Sequence, residues 1–162
     1  MRIAIVYYSL EGNTKYAAEK IGETLSADII PLIPVKAYPD GKVSKYFWGG
    51  KGAVFGETPK LEEYRFDRDR YDLVILGTPI WAGTFAPPLR TFIGDKNLTG
   101  GKIALFMSCS GGSTEKCAIQ LEKEIGDCAV VSTLRLVDPL KSSQAAVDNS
   151  IMDFCEEIKR SL

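Results

Sequence analysis

Three short stretches concentrate the residue types that hold small polar ligands. The first is Ser9-Leu10-Glu11-Gly12-Asn13-Thr14, between an apolar run and a helical repeat. A helix start presents unpaired N–H groups and a partial positive charge, so it attracts a phosphate. Gly12 lets the backbone come close, and Ser9 and Thr14 add hydroxyl donors, so no lysine is required. A tight strand-to-helix turn capped by Asn13 or Thr14 would use the same residues. The second stretch is Gly77-Thr78-Pro79-Ile80-Trp81-Ala82-Gly83-Thr84. A tryptophan in a loop flanked by glycines is costly to leave exposed, and a flat ligand ring packed on it is one explanation. Trp81 folded back over its own core is the other. The third stretch is Ser108-Cys109-Ser110-Gly111-Gly112-Ser113. Its paired glycines let the main chain lie flat against a ligand, with N–H groups aimed at ring carbonyls or nitrogens. A surface turn has the same composition.

Other chemistries are poorly served. The chain has no histidine, which removes His-based triads, His metal sites and imidazole acid–base steps. Cys109, Cys117, Cys128 and Cys155 form no CxxC pair, so zinc or iron–sulfur spacing is missing. Cys117, Cys128 and Cys155 read as buried reduced thiols. Cys109 stands in a candidate loop near a helix start that could lower its pKa, although a small tolerated residue is the simpler reading. The formal net charge is -1, without the basic excess of a nucleic-acid binder or the polybasic patch of a membrane-surface protein. No apolar run reaches bilayer length. The start, MRIAIVYYSL, has no signal-peptide parts and reads as a strand, so the cytoplasm is the expected compartment.

The elements that must position the three stretches follow from periodicity. The chain has 162 residues, the size of one domain, with 45% hydrophobic and 25% charged residues. Residues 2–8 are continuously apolar and β-branched, as in a strand covered on both faces. Ala17, Ile21 and Leu25 trace a helical stripe. Residues 28–33 read as a second strand, and Pro31 marks it as an edge. Leu73 to Leu76 make a third strand, ending at Gly77. Pro87 and Pro88 suit a helix's first turn, and Gly94 its end. Ile103 to Met107 make a fourth strand, residues 114–125 a helix stopped by Gly126, and residues 129–136 a fifth strand. Val147, Ile151, Phe154, Cys155, Ile158 and Leu162 define the last helix. Between residues 34 and 66 the pattern is obscure. Tyr46-Phe47-Trp48 suits a short packed helix, and Gly49-Gly50-Lys51-Gly52 reads as a turn, since it lacks a P-loop's arrangement. The alternation predicts one α/β domain over residues 1–162, a doubly wound three-layer sandwich. Its ligand belongs at the strands' carboxyl ends, where strand order reverses. The three stretches follow strands one, three and four and should meet there.

Together they resemble the flavodoxin family. SLEGNT is similar to that family's phosphate loop at Ser9, Gly12, Asn13 and Thr14. GTPIWAGTFAPPLRTFI, Gly77 to Ile93, looks like its second loop and following helix, closest to a branch with a Gly-x-Pro-x-Trp signature. FMSCSGGS, Phe106 to Ser113, resembles its third loop. The resemblance implies a five-stranded parallel sheet in order 2-1-3-4-5 that binds FMN. Residues 9–14 would hold the phosphate, and residues 78–83 and 108–112 would flank the isoalloxazine ring.

Three departures shape the expected chemistry. Glu11 stands where many relatives carry a small residue, and its carboxylate should point to solvent, away from a phosphate. Residues 108–113 contain no aromatic, so one ring face is open or is covered by Tyr46, Phe47, Trp48 or a second subunit, as in a homodimer. The near-neutral charge gives weak steering toward basic partners. The leading expectation is an FMN-dependent electron carrier, exchanging with a redox protein or a small-molecule acceptor. Phosphate and a partly apolar pocket would disfavour extra negative charge on the ring and make it a stronger reductant. A carbonyl near Gly83 is a candidate acceptor for the flavin N5–H. The competing expectations are an NAD(P)H-dependent quinone or flavin reductase and a cofactor-free interaction domain. A tyrosine phosphatase of similar fold needs Cys-x5-Arg, but Glu115, Lys123, Leu134 and Ser161 follow the cysteines at that spacing. A receiver domain needs an aspartate after strand three, where Leu76, Gly77 and Thr78 stand.

Overall fold

β1 (Ile3–Tyr7) is buried at every position, which is why its sequence shows no polar alternation. In the computed structural model, which describes residues 1–38, 51–96, 98–111 and 114–162, β1 lies inside a parallel sheet. It pairs with β2 (Asp28–Pro31) on one side and β3 (Leu73–Trp81) on the other. A two-residue strand, β4 (Thr84–Phe85), turns back antiparallel on the end of β3. Beyond β3 come β5 (Lys102–Cys109) and β6 (Ala129–Val137), both parallel. The order is β2-β1-β3-β5-β6. Counting parallel strands alone, this is the expected 2-1-3-4-5, with the reversal between β1 and β3. Pro31 sits on the edge strand, opposite Tyr7.

Side chains alternate between the two faces, as strand geometry requires. Ile3, Ile5, Leu73, Ile75 and Phe106 meet α1 (Asn13–Leu25) and α5 (Gln144–Ser161), through Ala17, Ile21, Phe154 and Ile158. Ala4, Val6, Val74, Leu76 and Leu105 meet α3 (Pro87–Asp95) and α4 (Glu115–Ile125), through Leu89, Phe92, Cys117 and Leu121. Residues 51–55 are also helical (α2). Each fully buried Ile, Leu or Phe contributes about 2 kcal/mol against the entropy of ordering the chain.

Four local expectations change. β3 does not stop at Gly77 but runs on to Trp81. Gly77 is a packing residue: a Cβ there would overlap the Phe106 ring, its partner across β3 and β5. The following segment is not an open loop but a hairpin, with Ile80 opposite Phe85 and Trp81 opposite Thr84. Its two turn residues, Ala82 and Gly83, have φ of 49° and 79°, the left-handed values that a type I′ turn demands. Lys51 and Gly52 are helical rather than a turn. Gly94 lies within α3, whose cap is Lys96. Tyr46-Phe47-Trp48, Gly49 and Gly50 lie outside the described residues. Pro87 and Pro88 do open α3, and Gly126, with φ of 68°, ends α4.

The Gly77 and Phe106 pairing predicts a specific repair. Gly77→Ala should cost about 3 kcal/mol by overpacking a core that cannot expand. Combining it with Phe106→Leu should cost clearly less than the sum of the two single changes, as urea unfolding would measure.

Candidate functional site

α1 begins without a side-chain cap. Gly12 is its N-cap, at φ of 93°, and it brings no side-chain acceptor to the helix's first N–H groups. Asn13, one expected cap, is used elsewhere: its Oδ1 accepts from the Leu140 N–H at 3.2 Å. Thr14, the other, is 1% exposed and shares a 2.7 Å hydrogen bond with Ser108 Oγ. Ser9 Oγ is buried with no hydrogen-bond partner. A helix start with a glycine N-cap, next to an unused buried hydroxyl, is arranged to receive an anion.

These groups face an open cleft at the carboxyl ends of β1, β3 and β5. The first stretch contributes Ser9, Leu10, Glu11, Asn13 and Thr14, the second Pro79, Ile80 and Trp81, and the third Ser108, Cys109 and Ser110. Three segments distant in sequence therefore converge at the point where strand order reverses. Among the described residues of the lining Glu11 is the one charged group, and it is exposed at the rim. An anion here would be held by neutral donors.

Some expected residues stand apart. Gly12 shapes the turn without lining the cleft. Thr78 is fully buried and structural: its Oγ1 accepts from the Ala86 N–H and donates to the Pro79 carbonyl, both at 2.9 Å. Ala82 and Gly83 form the hairpin turn beyond Trp81. Gly111 is exposed at φ of 140°, and Gly112 lies outside the described residues.

Trp81 does two things that had looked like alternatives. It lines the cleft, and it packs against Tyr8 and Tyr38 at centroid distances of 5.5 and 5.2 Å, edge to face. Tyr8 and Tyr38 touch each other at 6.1 Å, so the three rings brace one another. Neither tyrosine was expected. Tyr8 directly precedes Ser9 at the strand end, which is the signal that could have shown it; Tyr38 sits in the obscure Pro-rich stretch. A second unexpected brace comes from the loop after β6. The Asp138 N–H donates to the Cys109 carbonyl at 2.8 Å, while Leu140 holds Asn13.

The family model for flavodoxin matches residues 2–149. The chain belongs to the flavodoxin family. No curated protein matches it. Among solved structures it is similar to a proposed flavoprotein from Bacteroides eggerthii, at 24% identity over 94% of this chain and 97% of that one, with a TM-score of 0.76. A flavoprotein from Lactobacillus acidophilus, solved in complex with FMN, is 22% identical over 86% and 95% of the two chains, with a TM-score of 0.74. A Streptococcus pneumoniae flavodoxin is 16% identical over the full length of both, with a TM-score of 0.61.

Within this flavodoxin-family chain all four cysteines are free. Burial pushes the thiols of Cys117 and Cys155 up to about 12 and about 11, so both stay protonated in neutral solution. Cys128 is half-buried, and its thiol donates to the Leu98 carbonyl at 3.0 Å. Cys109 alone lines the cleft. Among the described residues no His, Cys, Asp and Glu cluster suits a metal ion, and no helix is long and apolar enough to cross a membrane.

The aromatic brace has an alkaline signature. Burial, then the proximity of Tyr38, raises the Tyr8 phenol well above the ordinary tyrosine range. Burial, then the charge of Glu57, pushes Tyr38 from 10.0 up to about 12. The folded form holds this proton more tightly, so its stabilising contribution is complete below pH 10 and is lost as pH rises from 10 to about 12. Tyr38→Phe should flatten that decline, measured as the urea midpoint against pH. Near neutral pH the change should be small, because the Tyr38 hydroxyl is buried without a partner.

Proposed function

We propose that this chain is an FMN-binding flavoprotein that transfers electrons between redox partners. One observation carries the reading: the orphaned Ser9 hydroxyl and the uncapped start of α1 open into the same cleft as Trp81 and Ser108–Ser110. Membership of the flavodoxin family and the FMN complex of the Lactobacillus acidophilus relative support it.

The residues present fit the cofactor. Ser9 Oγ and the first N–H groups of α1 are the donors for a phosphate, with Thr14 held beside them by Ser108, and none of them brings a competing charge. Trp81, stiffened by Tyr8 and Tyr38, offers an aromatic surface to a ring system. The main chain of Ser108 to Ser110 offers polar groups to the ring edge, with Cys109 a small neighbour. When bound, FMN supplies reversible electron uptake and release that no side chain here provides. The protein's part is to bind and orient it and to set its potential. Glu11 at the rim disfavours added negative charge on the bound ring.

Two outcomes test this. The purified protein should be yellow and release one FMN per chain, and Ser9→Ala should weaken FMN binding about tenfold, the usual effect of losing one charge-assisted hydrogen bond. A colourless preparation that takes up no FMN on titration would overturn the proposal. Glu11→Gln should raise the reduction potential of the bound cofactor by on the order of tens of mV, since a nearby negative charge has been removed. Anaerobic spectroelectrochemistry would read that shift, and an unchanged or lowered potential would exclude the role given to Glu11.

A further inference from the structure

On the other side of the Ala82–Gly83 turn lies a second open cleft, of about 440 Å³. Phe85 and Ala53 give it apolar walls, and one face of α4 runs along it. That face presents Lys116, Gln120 and Lys123, whose spacing sets them in a row. Seven residues of helix place the two lysines about 10 Å apart along the axis.

The charges in this cleft do not cancel. Among the described lining residues the one carboxylate, Glu124, is taken by Arg90 at 2.6 Å, and the Arg90 guanidinium also lies 4.5 Å from the centroid of the Phe85 ring. Lys116 and Lys123 have no carboxylate partner among the described residues, which leaves two positive charges over. Two further polar atoms, Gln120 Oε1 and Arg90 Nε, are buried without hydrogen-bond partners. A merely solvated helix face gives no reason for buried, unpaired polar atoms. Here they share one concavity with two uncompensated ammonium groups and an apolar wall.

We propose that this cleft binds a phosphorylated small molecule of nucleotide size. One anionic group pairs with Lys116 and a second with Lys123, on either side of Gln120. Two phosphate groups held apart by a sugar match the lysine spacing, and a concave cleft bounded by α2, β4 and α4 suits a small ligand better than a flat protein surface. The location ties the two clefts together. The Lys116 stem lies against Gly83, its Cδ 3.7 Å from where a Cβ would stand, and Ala82 itself lines the second cleft. The hairpin that carries Trp81 into the first cleft thus forms a wall of the second. That the ligand is a redox substrate of the first cleft rests on the flavoprotein reading above; that it binds does not.

The test is calorimetric titration of the FMN-loaded protein with adenosine 2′,5′-bisphosphate at low ionic strength. One saturable site is expected, weakened about tenfold by Lys116→Gln and again by Lys123→Gln, and weakened by added salt. Both lysines are exposed, so the variants should unfold at the wild-type temperature and keep their yellow colour. No binding by the wild type, or binding that both variants retain, would overturn the proposal. So would lysine-dependent binding of polyglutamate without binding of the bisphosphate, which would make the cleft a docking site for an acidic protein. A chain that takes up no FMN yet binds the bisphosphate through these lysines would remove the flavoprotein reading and leave this site standing.

Discussion

A buried 2.7 Å hydrogen bond between Thr14 Oγ1 and Ser108 Oγ joins residues 94 positions apart, across the end of the strand between them. It forms only because α1 leaves β1 at the same level at which β5 ends, on either side of β3. Parallel pairing of β1 with β3 and of β3 with β5 sets that level, with Tyr7 beside Gly77 and Gly77 beside Phe106. Both hydroxyls are nearly inaccessible to water, so each depends on the other. The net gain is about 1 kcal/mol, but losing one partner strands the other and costs more. The bond's larger effect is positional. It fixes the first turn of α1 against the third stretch, leaving Ser9 Oγ and the open N–H groups aimed into the gap between them.

Much of this arrangement was legible in the residues, because the signals were local or periodic. β1, β3 and β5 are continuous apolar runs, and in a sheet covered on both faces they must be. Pro31 on the edge strand and the two prolines opening α3 follow from the missing backbone donor. The misread positions depend on partners far away in sequence. Gly77 looked like a strand end, but its missing side chain is filled by Phe106, a neighbour only once β3 and β5 pair. Asn13 looked like a cap, but Leu140, in the loop after β6, claims its amide oxygen. The hairpin after Trp81 went unseen because its first turn residue is alanine, which seldom takes φ of 49°. Tyr38 was hidden in a stretch without periodicity, where nothing local shows that its ring meets Trp81.

Composition also averages away the charge asymmetry. A formal net charge of -1 implies weak long-range steering. Within that neutral total, among the described residues the first cleft is lined by one charge, that of Glu11, and the second by two lysines beyond the Arg90–Glu124 ion pair. The two concavities have opposite sign on the two sides of one hairpin. On the proposed reading this is a division of labour: neutral donors hold the cofactor's phosphate where a cation would raise the potential, while cations for a second anion stand outside that cleft.

The hairpin is where both assignments meet, and its backbone carries a cost. Ala82 in the left-handed region gives up about 1 kcal/mol that glycine would not. The surrounding contacts offset it. Thr78 pins the start of α3 through the Ala86 N–H, while Ile80 and Trp81 pair across to Phe85 and Thr84. Trp81 is in turn wedged against Tyr8 and Tyr38. Strain held by so many neighbours marks a segment whose shape is fixed by tertiary packing rather than by its own preference. A fixed turn keeps Trp81 at one wall of the first cleft while Ala82 and Gly83 bound the second. An occupant of either cleft would then meet a surface already in place, without a separate ordering cost for the wall they share.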